Sequence, residues 1–139
     1  MQLAPNTKLT LAKAAQSSAG TAVESDAIDM ANFQGVTFHG TIATGDAGNF
    51  AKVQQSEDGS TGWADLKGSR QTIATNGEAF IVDVRNPEER HVRCVVIRAG
   101  TNTATGDIYA TQYGAAKAPT TDGTGVNRVA IVSPDEGTA

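Results

Sequence analysis

The chain is poor in aromatic residues, holds a single cysteine and has no surplus of positive charge. Each shortage removes a class of protein. Cys94 alone cannot form an internal disulfide, so stability has to come from packing, as in a protein made in a reducing cytoplasm. A formal net charge of −4 argues against a chain whose task is to wrap nucleic acid, because that task needs a cationic face. The first twenty residues hold Lys8 and Lys13 but no apolar stretch as long as a secretory signal, and nothing later approaches a membrane span. Neither secretion by that route nor a membrane partner is expected.

What is present is β-forming. At 139 residues the length suits one domain, and such a chain buries roughly two-thirds of its unfolded surface around one core. From Ala22 onward short β-rich segments alternate with Gly, Asn, Asp or Pro: 22–30, 35–43, 50–55, 70–75, 79–84, 91–98 and 107–113. This spacing predicts an all-β jelly roll or β-sandwich of about eight short antiparallel strands, with extended arms at both ends. Period-2 alternation puts Val36, Phe38 and Ile42 on one face, then Phe80, Val82 and Val84, then Val92, Cys94 and Val96. His39, Thr41, Asp83, Arg85, His91 and Arg93 fall on the opposite face. Ile81, Val95 and Ile97 make two segments apolar on both sides, which marks those segments as central or interface strands.

The domain is bounded at residues 21–113. Residues 1–20 read as an N-terminal arm with one edge strand, and 114–139 as a flexible linker followed by a C-terminal arm or strand. Val126 to Val132 returns to β-rich sequence, and Val129 and Ile131 are candidate interface residues there. Two readings are open: a sticky strand on a tether that adds to a neighbour's sheet edge, or a last strand of the same domain. In the connections, Ser56-Glu57-Asp58-Gly59-Ser60 and Thr75-Asn76-Gly77 place Gly where positive φ is needed. Asn86-Pro87-Glu88-Glu89 reads as a capped single helical turn.

No catalytic constellation assembles, and the chain is read as a non-enzyme without cofactor or metal. His91 and Cys94 are three apart on a strand and point to opposite faces, which defeats both a zinc site and a Cys-His pair. The paired carboxylates sit in turns, where solvation is the default. Arg85, Arg90, Arg93 and Arg98 gather around one hairpin, and their planar forks suit carboxylates on another chain, so the cluster is a candidate docking patch. Trp63, beside Gly62, is either an interface anchor or a lid over the sandwich end, with the lid favoured.

Phe50 to Gln55, then Ser56-Glu57-Asp58-Gly59, Trp63-Ala64-Asp65-Leu66, Ala79 to Val84, Arg90-His91-Val92-Arg93 and Ile108 to Tyr113 form a run with a familiar order. Over about residues 20–115 it resembles the small decoration, or cement, proteins of tailed double-stranded DNA phage heads, nearest to the jelly-roll type of Bordetella phages. The resemblance implies a structural virion protein on the capsid exterior, made in the bacterial host cytoplasm. It would self-associate as a homodimer and clamp neighbouring major capsid subunits. A carbohydrate- or host-binding sandwich using Trp63, Tyr109 and Tyr113 as stacking residues is the alternative.

Overall fold

The structure is a computed structural model that describes residues 2–132 and 136–137. After a short 3-10 turn at Ala4–Asn6 come ten strands: β1 (Lys8–Lys13), β2 (Val23–Glu24), β3 (Ile28–Asp29), β4 (Gly35–Thr44), β5 (Phe50–Ser56), β6 (Ala64–Asp65), β7 (Gln71–Thr72), β8 (Ala79–Arg85), β9 (His91–Ile97) and β10 (Ala104–Tyr113). They build two antiparallel sheets. One has the order β1-β10-β4-β8; in the other, β9 and β5 are central, with β2 and β3 along the outer side of β9 and β6 and β7 along the outer side of β5. The chain crosses between the sheets six times, at β1–β2, β3–β4, β4–β5, β7–β8, β8–β9 and β9–β10, so the two layers are wound together as a β-sandwich.

Ten strands replace the eight expected because both outer lines of the second sheet are broken into pairs of two-residue strands. The expected segment at 22–30 becomes β2 and β3, interrupted where Ser25 turns its hydroxyl to accept from the Cys94 N–H. The arm read at the N-terminus contains β1, the anticipated edge strand, paired to β10 from Lys8↔Gln112 to Lys13↔Ile108. Asn86 to Glu89 is not a helical turn. Asn86 adopts φ 51, whereas a residue that caps a helix N-terminus needs extended backbone, and its N–H donates to the Gln34 carbonyl as the last rung beside β8.

The core lies between the sheets. Val36, Phe38, Ile42, Phe80, Ile108 and Ala110 project from the first sheet onto Ala51, Val53, Val92, Cys94 and Val96 of the second, all of them buried. A fully buried Val, Ile or Phe in this set contributes about 1.5–3 kcal/mol. The alternation read from the sequence holds at each of the nine positions it named for the core, although Val84 is only partly buried. Of the two segments apolar on both faces, β9 is central in its sheet, with Val95 buried, while β8 is an edge strand whose Ile81 is 67% exposed.

The turns follow the sequence. Gly59 and Gly77 take φ 74 and 76, and the Asp58 carboxylate accepts from the Ser60 and Thr61 N–H groups at 2.8 and 2.7 Å. The Thr61 hydroxyl, which donates to the same carboxylate at 2.6 Å, and then those N–H groups hold the Asp58 carboxyl well below the usual range.

Candidate functional site

The arginines expected to form one docking patch are dispersed by the two-layer fold. Arg93 projects from β9 on the outer face of the second sheet, where its guanidinium donates to both Glu24 oxygens at 2.8 and 3.2 Å and to Gln54 at 2.9 Å. Trp63 lies beneath it, 4.4 Å from guanidinium carbon to ring centroid. Trp63 is therefore neither a lid over the sandwich end nor a free anchor, because the β5–β6 connection lays it against the sheet face. Arg90, in the β8–β9 turn, makes a bidentate pair with Asp29 at 2.8 and 2.9 Å. The hydrogen bonds from Arg90 hold the Asp29 carboxyl down at about 2 against the opposing effect of desolvation.

Arg98 is buried. It donates to the Ser17, Thr21 and Thr103 carbonyls and to the Thr21 hydroxyl, tying the 17–21 segment and the start of β10 together without a carboxylate. Arg85, at the end of β8, lies on the outer face of the other sheet, and among the described residues no carboxylate pairs with it. One arginine is thus a structural tie, two are neutralised in place, and the fourth faces the opposite way.

The surface least explained by the fold's own needs is the outer face of the four-stranded sheet. Strand register aligns Leu11, Tyr109, His39 and Ile81 in one row across β1, β10, β4 and β8. The next row is Leu9, Thr111, Thr37 and Asp83, and Tyr113 stands beyond it, donating its hydroxyl to Asp83 at 2.9 Å. His39 and Tyr109 stack, with ring centroids 5.5 Å apart and planes 22° from parallel. A hollow of about 520 Å³ opens beside them over Thr41, Ala79 and the Phe80 ring. Two glycines beside it allow close packing: a Cβ on Gly106 would fall 2.2 Å from the Thr41 hydroxyl, and one on Gly40 3.0 Å from the Phe80 ring.

An apolar, aromatic row on one face and ion-paired residues on the other give the sandwich two chemically different surfaces. Parity along each strand predicts that His39 points away from Phe38. Only the register between strands shows that His39 meets Tyr109 and Ile81. The alternative of a three-aromatic sugar platform is not assembled, since Tyr109 and Tyr113 occupy the first sheet's outer face and Trp63 the second's.

The C-terminal segment departs most from expectation. Residues 114–125 are not a free linker: Ala116 and Lys117 are held by Asn32, and residues 120–123 run back along the outer edge of β1. The Thr120 N–H donates to the Pro5 carbonyl at 3.0 Å, the Gly123 N–H to the Leu9 carbonyl at 2.8 Å, and the Leu9 N–H to the Asp122 carboxylate at 2.8 Å. Arg128 then reaches back to Asp122 and to the Thr7 carbonyl, and its bonds hold the Asp122 carboxyl below its ordinary value. Beyond that anchor the expected strand does not form within the chain: Val129, Ile131 and Val132 are 81%, 64% and 81% exposed. Ser133, Pro134 and Asp135 lie outside the described residues.

His91 donates from Nδ1 to the Glu57 carbonyl at 3.0 Å, while Cys94 is buried on the other side of β9, so the two never approach a common ligand. Among the described residues no three His, Cys, Asp or Glu side chains are placed to hold a metal ion. No protein-family model matches the chain, and no curated protein matches it.

Proposed function

We propose that this chain is a structural virion protein that binds the outer surface of a phage capsid and stabilises it by clamping neighbouring major capsid subunits. The phage-head reading comes from the sequence run between Phe50 and Tyr113. The observation that carries surface binding is the outer face of the four-stranded sheet, where Leu11, Tyr109, His39 and Ile81 form an unpaired apolar and aromatic row. Burying such side chains against a partner supplies affinity without a deep pocket. Repeated over a lattice, individually weak contacts of this size sum to high avidity.

The test is binding to tailed-phage heads stripped of their decoration protein, followed by co-sedimentation and by the temperature at which heads release DNA. Wild-type protein is expected to bind and to raise the release temperature. Tyr109→Ser combined with Leu11→Ser removes two apolar contacts from the row and should weaken binding about tenfold or more. Binding lost on Arg93→Glu but kept in the Tyr109/Leu11 variant would move the docking face to the other sheet. No binding to any head would sink the capsid reading.

A further inference from the structure

Two open sheets present four edges, and three of them are guarded. The second sheet ends in β2 and β3 on one side and β6 and β7 on the other, each only two residues long and too short to template a partner. The outer edge of β1 is covered by the chain's own residues 120–123.

The fourth edge, β8, is different. It is seven residues long and pairs with β4 in unbroken register from Gly35↔Arg85 to Thr41↔Ala79. Ladder bonds from Asn86 to Gln34 and from Ile42 to Glu78 show that the even-numbered residues face β4. The peptide groups of Ala79, Ile81, Asp83 and Arg85 therefore point outward, and among the described residues none has a hydrogen-bond partner. A cleft of about 570 Å³ runs along the second half of this edge, walled on its far side by the turn at Leu66 to Ser69. An open edge beside a cleft is an acceptor for an extended segment.

The same chain carries a donor with no strand partner among the described residues. Past the Arg128 anchor, Val129-Ala130-Ile131-Val132 is uncharged, rich in β-branched side chains and exposed, held among those residues only by an exposed bond from the Gln2 side chain to the Ile131 carbonyl at 2.9 Å. It suits an edge whose outward side chains include the exposed Ile81 and the oppositely charged Asp83 and Arg85, because an uncharged strand opposes neither sign. It does not suit its own β8. That edge lies three strand spacings from β1, or about 14 Å, and four extended residues span about 14 Å, so the crossing would consume the whole segment.

We propose that residues 129–132 of one copy add as a strand to the open β8 edge of a second copy. This goes beyond the capsid-surface reading and does not rest on it.

The test is sedimentation equilibrium of the full-length protein and two full-length variants, with no shell present. Ile81→Lys guards the acceptor edge, and Val129→Asp with Ile131→Asp spoils the donor. All three positions are exposed, so unfolding midpoints should match wild type. Wild type is expected to exceed monomer mass as concentration rises, and each variant alone to associate at least tenfold more weakly. A mixture of the two should form a one-to-one pair, because one partner keeps an intact segment and the other an intact edge. A donor variant that associates as tightly as wild type would overturn the proposal in favour of two β8 strands pairing edge to edge. A mixture that stays monomeric, or wild type that is monomeric throughout, would also overturn it. Shell binding, measured separately, stands or falls alone.

Discussion

Replacing Arg98 with methionine separates a structural arginine from a docking one. The guanidinium donates to Ser17 O at 2.8 Å, to Thr103 O at 3.1 Å, to the Thr21 hydroxyl at 2.9 Å and to the Thr21 carbonyl. Hydrogen bonds to a charged group are each worth about 1.5–3 kcal/mol, and a buried acceptor left unpaired costs about 1–3 kcal/mol. These terms do not add. Removing the charge also relieves its desolvation, and Ser17 and Thr21 are exposed enough for water to replace part of what is lost. Thr103 is fully buried and has no such relief. The expected loss is about 3 kcal/mol, and a single substitution much above 4 would be exceptional.

Arg93→Met gives the contrast. Its partner Glu24 is half exposed, so the pair is worth about 0.2–1 kcal/mol, and the Trp63 ring adds about 0.5–1 kcal/mol. Urea unfolding followed by circular dichroism and by Trp63 fluorescence measures both. Arg98→Lys should recover little, because one ammonium cannot reproduce the fork that spans three carbonyls. An Arg98→Met loss below about 1 kcal/mol, or full recovery by lysine, would refute the account of Arg98 as a tie between the 17–21 segment and β10.

Two further outcomes follow from protonation. The Asp29 carboxyl sits at about 2 in the folded chain, below its ordinary 3.8, so its pairing with Arg90 stabilises fully above about pH 4 and is lost as pH falls through about 2. Asp29→Asn should flatten the stability-versus-pH curve in that window, and an unchanged slope in acid titration would contradict the pairing. Burial pushes the Cys94 thiol up to about 12, so at pH 8 it should react with a disulfide reagent only as fast as the protein unfolds; rapid labelling of native protein would contradict its placement in the core.

Alternation was enough to assign faces. Val36, Phe38, Phe80, Val82, Val92 and Cys94 are inward because a strand has a period of two, and that is a property of neighbouring residues. Gly59 and Gly77 were legible for the same local reason, since only a few residue types accept positive φ. Asn86 was misread because Asn also accepts positive φ, and the rung it donates to Gln34 is made with a distant strand.

The sites, by contrast, depended on distance along the chain. Arg85, Arg90, Arg93 and Arg98 are close in sequence, yet β8 and β9 belong to different sheets, so the layers separate them and distant partners, Asp29, Glu24 and Thr21, decide what each one does. The row from Leu11 to Ile81 exists only because four strands pair in one register. Composition and period thus determined that the chain is a β-sandwich and which side chains line its core. Which strand ends at an open edge, and where residues 114–132 lie, was decided by tertiary pairing, because an edge is defined by the absence of a neighbour and no local pattern encodes an absence.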